Sequence, residues 1–220
     1  MIRMDVRTVA EITGGHLMQN GASVEFQGIS TDSRTLQPGE LFIPLRGENF
    51  DGHDYLTQAI KRGAAACLSE EMIGGLLVPV VKVKDTLKAL GDLAAASRRQ
   101  FSGPVIGITG TSGKTTCKEM LASILSSLGP GLKSAGNYNN LIGVPLTLFE
   151  LRPEHQWAVV EMGMSARGEI ARLAEIARPN IGLITNIGAG HLENFDGLSG
   201  VARAKGELFI SLPADGIALI

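Results

Sequence analysis

Val105-Ile-Gly-Ile-Thr-Gly-Thr-Ser-Gly-Lys-Thr-Thr116 is an apolar run that turns through glycines and ends on a lysine and two hydroxyls. A helix-like segment, Cys117 to Leu128, follows at once. Strand, glycine-rich turn and helix in that order cradle a nucleotide triphosphate. Backbone N–H groups and the helix N-terminus attract phosphate, a lysine neutralises it, and a hydroxyl holds Mg2+. Lys114 is therefore expected against the β- and γ-phosphates and Thr115 on the metal, with ATP as the cofactor class. Gly110 and Gly113 let the backbone approach, and Thr111, Ser112 and Thr116 complete the loop. A strict Walker A pattern asks for glycine where this chain has Ile108, so the general motif is missed by one position. The remainder, from Thr109 to Thr116, keeps the structural context that the motif demands.

Working outward, strand and helix patterns alternate on both sides. Trp157-Ala-Val-Val160 is an apolar strand that ends in Glu161, and Ile181 to Asn186 is another. Gly168–Ala177 and Leu198–Leu212 read as helices, and Gly216–Ile220 as the start of a strand. This alternation predicts a mainly parallel sheet with helices on both faces, with functional residues at the carboxyl ends of its strands. Thr109, Glu161 and Asn186 fall there. Glu161 is the natural second oxygen ligand for Mg2+, set against a strand-end carboxylate satisfied by backbone N–H groups. His191 follows a glycine turn and is placed to bind a second metal or orient a reacting group. Asn137, Asn139 and Asn140 read either as turn formers or as donors to phosphate or sugar oxygens. Lys205 reads by default as an exposed helix lysine.

Upstream, residues 1–84 alternate helix and strand as a small α/β domain, with residues 85–220 as the second domain and Phe101-Ser-Gly-Pro104 as a hinge. In the polar stretch Thr31-Asp-Ser-Arg34, Arg34 offers a fork for an anion. The formal net charge of -2, with no basic stripe, argues against nucleic acid. Cys67 and Cys117 stand far apart in no metal spacing, as expected of reduced cytosolic thiols. No apolar run is long enough for a transmembrane helix. A cytoplasmic enzyme is expected. A P-loop switch or kinase is disfavoured by the lack of an Asn-Lys-x-Asp motif.

Taken together, Thr109–Thr116, Gly136-Asn-Tyr-Asn-Asn140, Glu161-Met-Gly163 and Thr185-Asn-Ile-Gly-Ala-Gly-His-Leu-Glu193 resemble the Mur ligases of peptidoglycan synthesis. Thr31-Asp-Ser-Arg34, Pro38–Gly47 and Phe50–Tyr55 are similar to the member type that joins D-alanyl-D-alanine to UDP-N-acetylmuramoyl-tripeptide. The resemblance implies an ATP-dependent amide ligase working through an acyl phosphate. It gives Thr115 and Glu161 to a first Mg2+ and His191 to a second. It aligns Lys205 with a lysine that several family members carry as a carbamate. Ser33, Arg34, Arg46, Asn49 and His53 would hold the uridine diphosphate, and Asn137 and Asn140 would lie near the UDP-sugar or phosphates. Met164-Ser-Ala-Arg-Gly-Glu169 departs from the family's Ala-Asn-His-Pro-Gly-Glu but keeps its last two residues. The family has three domains, so the resemblance implies an incomplete central domain at 85–220, an absent C-terminal ligase domain, and no complete ligation by these 220 residues alone. It also implies a monomer at full length. The alternatives are a non-catalytic fragment that binds ATP or the UDP-precursor, and a related Mur or folylpolyglutamate-type ligase.

Overall fold

In the computed structural model, which describes residues 4–19, 21–190 and 194–220, the chain divides into two units, Met1–Ala96 and Ser97–Ile220. In chain order the first runs β1 (Met4–Asp5), α1 (Val6–Thr13), β2 (His16–Leu17), β3 (Glu25–Phe26), β4 (Gly28–Ser30), β5 (Glu40–Phe42), a 3-10 turn (Gly52–Tyr55), α2 (Leu56–Lys61), β6 (Ala66–Ser69), β7 (Val80–Lys82) and most of α3 (Thr86–Arg98). Helix α1 starts where the Asp5 carboxylate accepts the Thr8 N–H at 2.8 Å, and stops where Gly14 turns left-handed at φ 60°. Its sheet has the order β2-β7-β6-β5-β4, parallel except for β2 against β7. Phe42, Leu56, Ala59 and Cys67 form its buried core. Helix α3, expected to open the second domain, groups with the first as far as Ala96.

The second unit contains β8 (Val105–Thr109), α4 (Lys114–Leu125), β9 (Gly131–Lys133), α5 (Gly143–Phe149), β10 (Trp157–Glu161), α6 (Glu169–Ala177), β11 (Ile181–Ile184), α7 (Gly197–Ile210) and β12 (Ile217–Leu219). The strands are all parallel, in the order β9-β10-β8-β11-β12. From the central β8 the chain goes out to β9, returns to β10 and crosses over to β11. The carboxyl end of β8 therefore lies at a topological switch point, where a crevice opens between connections that leave in opposite directions.

Alternation along β8 sends its residues to opposite faces. Ile106 and Ile108 join Ala122, Trp157 and Val159 in a core that takes in Cys117, Leu121 and Leu125 of α4. On the other face, Gly107 stands opposite Gly182 of β11. A Cβ on either glycine would come 3.1 Å from Leu208 of α7, so the absence of these side chains lets α7 lie close to the sheet. The mixed α/β architecture is the one expected from the pattern. Two local features differ. The sequence pattern passed over β9, a three-residue edge strand. Helix α5 begins at Gly143, so that Pro145 falls in its first turn, where a missing N–H costs nothing.

Gly131 of β9 packs directly under the Trp157 indole, and an added Cβ would lie 2.1 Å from two ring atoms. Replacement of Gly131 by Ala is expected to lower unfolding stability by ~1–3 kcal/mol. Urea denaturation followed by fluorescence of Trp157, the sole tryptophan, measures this. An unchanged midpoint would show that β9 yields freely.

Candidate functional site

The loop between β8 and α4 is shaped by glycines and pinned by the residues that follow β11. Gly110 (φ 153°) and Gly113 (φ 78°) adopt backbone conformations that side chains disfavour. At Gly110 a Cβ would also fall 1.9 Å from the Thr185 hydroxyl. The Thr185 hydroxyl donates to the Ser112 carbonyl at 2.6 Å. The Asn186 side-chain oxygen accepts the N–H groups of Thr111 and Ser112, both at 3.1 Å. Asn186 thus fixes the curvature of the loop, and its own amide donates to the Ser112 hydroxyl at 2.8 Å. The Lys114 ammonium curls back to the Gly110 carbonyl at 2.8 Å, over the concavity. Thr115 and Thr116 lie in the first turn of α4, whose leading N–H groups have no intrahelical partner.

Glu161 at the end of β10 meets this loop. It is 2% exposed. A buried carboxylate needs compensation. One of its oxygens accepts the Thr115 hydroxyl at 3.0 Å, and the other accepts the Asn139 amide at 2.9 Å. The Lys118 ammonium lies 3.6 Å from the oxygen that Thr115 shares. The Ser134 hydroxyl accepts the Glu161 backbone N–H at 3.0 Å. Two hard oxygens, Thr115 Oγ1 and Glu161 Oε2, therefore converge beside the loop. Among the described residues no group of three or more His, Cys, Asp or Glu side chains could hold a metal by itself. This donor set fits an ion that takes one or two protein oxygens and completes its shell with phosphate and water. The Thr109 hydroxyl, buried at the end of β8, has no partner among the described residues.

A cleft of about 470 Å3 opens here, lined by Gly110, Lys114, Asn139, Asn140, Glu169 and Lys205 among others. Lys205 is not the surface lysine its helical context implied. It is 5% exposed. Burial, and then the neighbouring Lys114 charge, bring its amine down to about 8. Asn137 is exposed, and Asn139 rather than Asn137 reaches the carboxylate. Asn140 caps α5, its side-chain oxygen accepting the Gly143 N–H at 2.8 Å. In the divergent Met164–Arg167 stretch, a Glu169 oxygen accepts the Ser165 and Ala166 N–H groups, and Arg167 pairs with Asp196. His191 lies outside the described residues. Lys118 escaped the sequence reading. The available signal was its spacing, three residues after Thr115 and so on the same face of α4.

In the first unit, Arg34 forks onto Asp32, with its Nη2 at 2.7 Å from a carboxylate oxygen. These hydrogen bonds hold Asp32 down to about 2. The buried Ser33 hydroxyl donates to Gln58 at 3.3 Å, and Asn49 is exposed. Arg46 lies among three carboxylates: Asp51 at 3.1 Å, Glu70 at 3.3 Å and Glu71 at 3.0 Å. His53 is buried with both ring nitrogens used. Nε2 accepts the Glu70 N–H at 3.1 Å, so Nδ1 carries the proton and donates it to Asp51 at 2.6 Å. Arg46 and His53 therefore brace the loop at 46–53 and leave no ring nitrogen to face a ligand.

Residues 108–220 match the Mur ligase middle domain, and residues 25–98 match the Mur ligase family catalytic domain. The chain is 46% identical over 220 residues to the UDP-N-acetylmuramoyl-tripeptide–D-alanyl-D-alanine ligase of Escherichia coli (strain K12), a match covering 100% of this chain and 48% of that protein. Its fold is similar to a crystal structure of MurF from Acinetobacter baumannii, with a TM-score of 0.94 and 40% identity, covering 100% of this chain and 49% of that one. It is also similar to the MurF ligase of Thermotoga maritima in complex with ADP, with a TM-score of 0.83 and 32% identity, covering 88% of this chain and 45% of that one. The chain spans about half the length of the curated relatives it matches. With its phosphate loop, the Glu161 carboxylate and both domain matches in chain order, the chain belongs to the Mur ligase family.

Proposed function

We propose that the protein is an ATP-dependent amide ligase that joins D-alanyl-D-alanine to UDP-N-acetylmuramoyl-tripeptide. What carries this reading is the meeting of Thr115 Oγ1 and Glu161 Oε2 at 3.0 Å beside the loop that holds Lys114, on a chain whose whole length matches 48% of the Escherichia coli ligase. In the reaction, a carboxylate oxygen of the tripeptide attacks the γ-phosphorus and ADP leaves. The D-alanyl-D-alanine amine then attacks the acyl phosphate carbon and expels phosphate, losing a proton. Two anions must meet in the first step, and charge neutralisation is the main demand on the protein. Lys114 supplies a cation to the phosphates, and the leading N–H groups of α4, which no intrahelical carbonyl accepts, orient them. Mg2+, when bound through Thr115 and Glu161, supplies Lewis-acid neutralisation of the transferring group. For Thr115 to serve, its hydroxyl proton, which Glu161 accepts at 3.0 Å, must turn away from that carboxylate.

Lys205 supports a second role. An amine near pH 8 is partly neutral under physiological conditions. Loss of one proton from the ammonium, and of a second as the neutral amine adds CO2, would replace a cation by an anion, the carbamate that several family members carry at the aligned lysine. In the first unit, Ser33, Arg34 and Asn49 are the proposed contacts to the uridine diphosphate, with Arg46 and His53 setting the loop. Among the described residues no helix is long and apolar enough to cross a membrane. A cytoplasmic location goes with the proposed ligase activity.

Thermal unfolding tests the substrate assignment. UDP-N-acetylmuramoyl-tripeptide at a hundred times its Kd should stabilise the protein by ~2.7 kcal/mol. The corresponding dipeptide precursor should do markedly less, and equal shifts from both would reject the assignment. For the nucleotide site, calorimetry should show ADP binding weakened at least ~10-fold by Lys114→Met. Glu161→Gln should bind ADP equally well with and without Mg2+, whereas the wild type gains from the metal. If the variant keeps the metal-dependent gain, Glu161 is not a ligand.

Lys205 gives a pH signature. Its folded value, about 8, lies below the ordinary lysine value of 10.5, so between these the unfolded chain holds more protons. The contribution of this group to stability therefore rises with pH through that window. Below about pH 8 both states are protonated and the cost of burying the ammonium is present in full. Relative to Lys205→Met, the wild type should gain ~1–3 kcal/mol between pH 7 and pH 10. Parallel denaturation curves for the two proteins across that range would contradict it.

A further inference from the structure

Lys118 has no part in the chemistry above, yet its side chain is fully buried. Lysine is rarely so unless paired. Its ammonium donates to the Gly136 carbonyl at 3.1 Å and lies 3.5 Å from Glu119 and 3.6 Å from Glu161. Glu119 is half-exposed and also pairs with Lys133, so its charge is shared and screened by water. Glu161 is the buried partner. The lysine thus faces the very oxygen that Thr115 touches, which is the oxygen expected to take the metal.

The charges around the site then matter. Lys114 lines the cleft as a cation, and Lys205 lines it as an amine that CO2 would convert to an anion. Glu169, which lines the cleft, accepts backbone N–H groups from Ser165 and Ala166. With Lys118 cancelling Glu161 at 3.6 Å, a bare dication would find no uncompensated negative charge at its two protein oxygens, and Lys114 on the adjoining loop would repel it. Nucleotide phosphates supply that negative charge. We propose that Lys118 is a positioning residue that makes divalent-metal binding at Thr115 and Glu161 conditional on bound nucleotide, so that metal and nucleotide enter together. The inference rests on the metal site proposed above. It assigns Lys118 a task distinct from bracing the loop at Gly136, since loss of a brace would not create a metal site.

The probe is Mn2+, followed by electron paramagnetic resonance on the protein with and without saturating ADP. The wild type should bind Mn2+ at least about tenfold more tightly with ADP than without it. Lys118→Met, of similar length and without charge, should tighten nucleotide-free Mn2+ binding by about tenfold or more. Adding Glu161→Gln to that variant should remove the gain. If Lys118→Met binds free Mn2+ no better than wild type while ADP-dependent binding still needs Glu161, the inference fails and the metal site stands. If Mn2+ binds with ADP equally well in wild type and Glu161→Gln, the metal site falls and the inference with it. Should Lys118→Met not fold, the wild type alone decides: equal Mn2+ affinity with and without ADP overturns the proposal.

Discussion

A carboxylate buried at the mouth of a parallel sheet is unfavourable unless every lone pair finds a partner, and much of the second unit is arranged around that requirement at Glu161. The β10–β8 register sets Glu161 opposite Ile108, beside the first turn of α4. That turn brings Thr115 and Lys118 to one oxygen, while the 136–140 loop brings Asn139 to the other. Ser134, at the start of the same loop, takes the Glu161 N–H. Strand, helix and loop are thus tied through one functional group. The compensation is also exchangeable: a hydroxyl that donates to the carboxylate can turn its lone pair to a metal instead.

The glycine-rich loop shows a complementary principle. Its curvature is not left to its own conformational preferences but is imposed by Thr185 and Asn186, which follow β11 directly. A phosphate meeting this loop finds donors already arranged, so little ordering entropy remains to be lost on binding. Charge neutralisation then comes from Lys114, whose ammonium lies on the Gly110 carbonyl.

The parts of this arrangement that sequence made legible are those with a local signature. The run from Val105 to Thr116 announces strand, turn and helix within a dozen residues. Glu161 and Asn186 follow from the rule that functional groups gather at strand carboxyl ends. For Lys118 the only local signal is its spacing from Thr115, which the default of a solvated helix lysine outweighs. Only the fold reveals that its face of α4 is covered. Lys205 was misread locally for the same reason, and it was the family resemblance that singled it out. At His53 and Arg46 the resemblance implied contacts to the uridine diphosphate, and the structure shows a network of local partners. Their partners Glu70 and Glu71 lie on the turn after β6, a relation that no short-range pattern carries. Strand β9 was missed because Gly131-Leu132-Lys133 has neither the length nor the alternation of a strand. It is identified only by pairing with β10.

Gly107 and Gly182 touch no proposed ligand and carry no charge, yet they set the height of α7 above the sheet. Leu208 rests against both, and Lys205 is one turn earlier on the same face. The depth at which that amine sits, and with it the water it loses, is therefore gauged by two absent methyl groups. Acidity at this site is in part a mechanical property of the sheet. It can be retuned by changing a spacing rather than a charge.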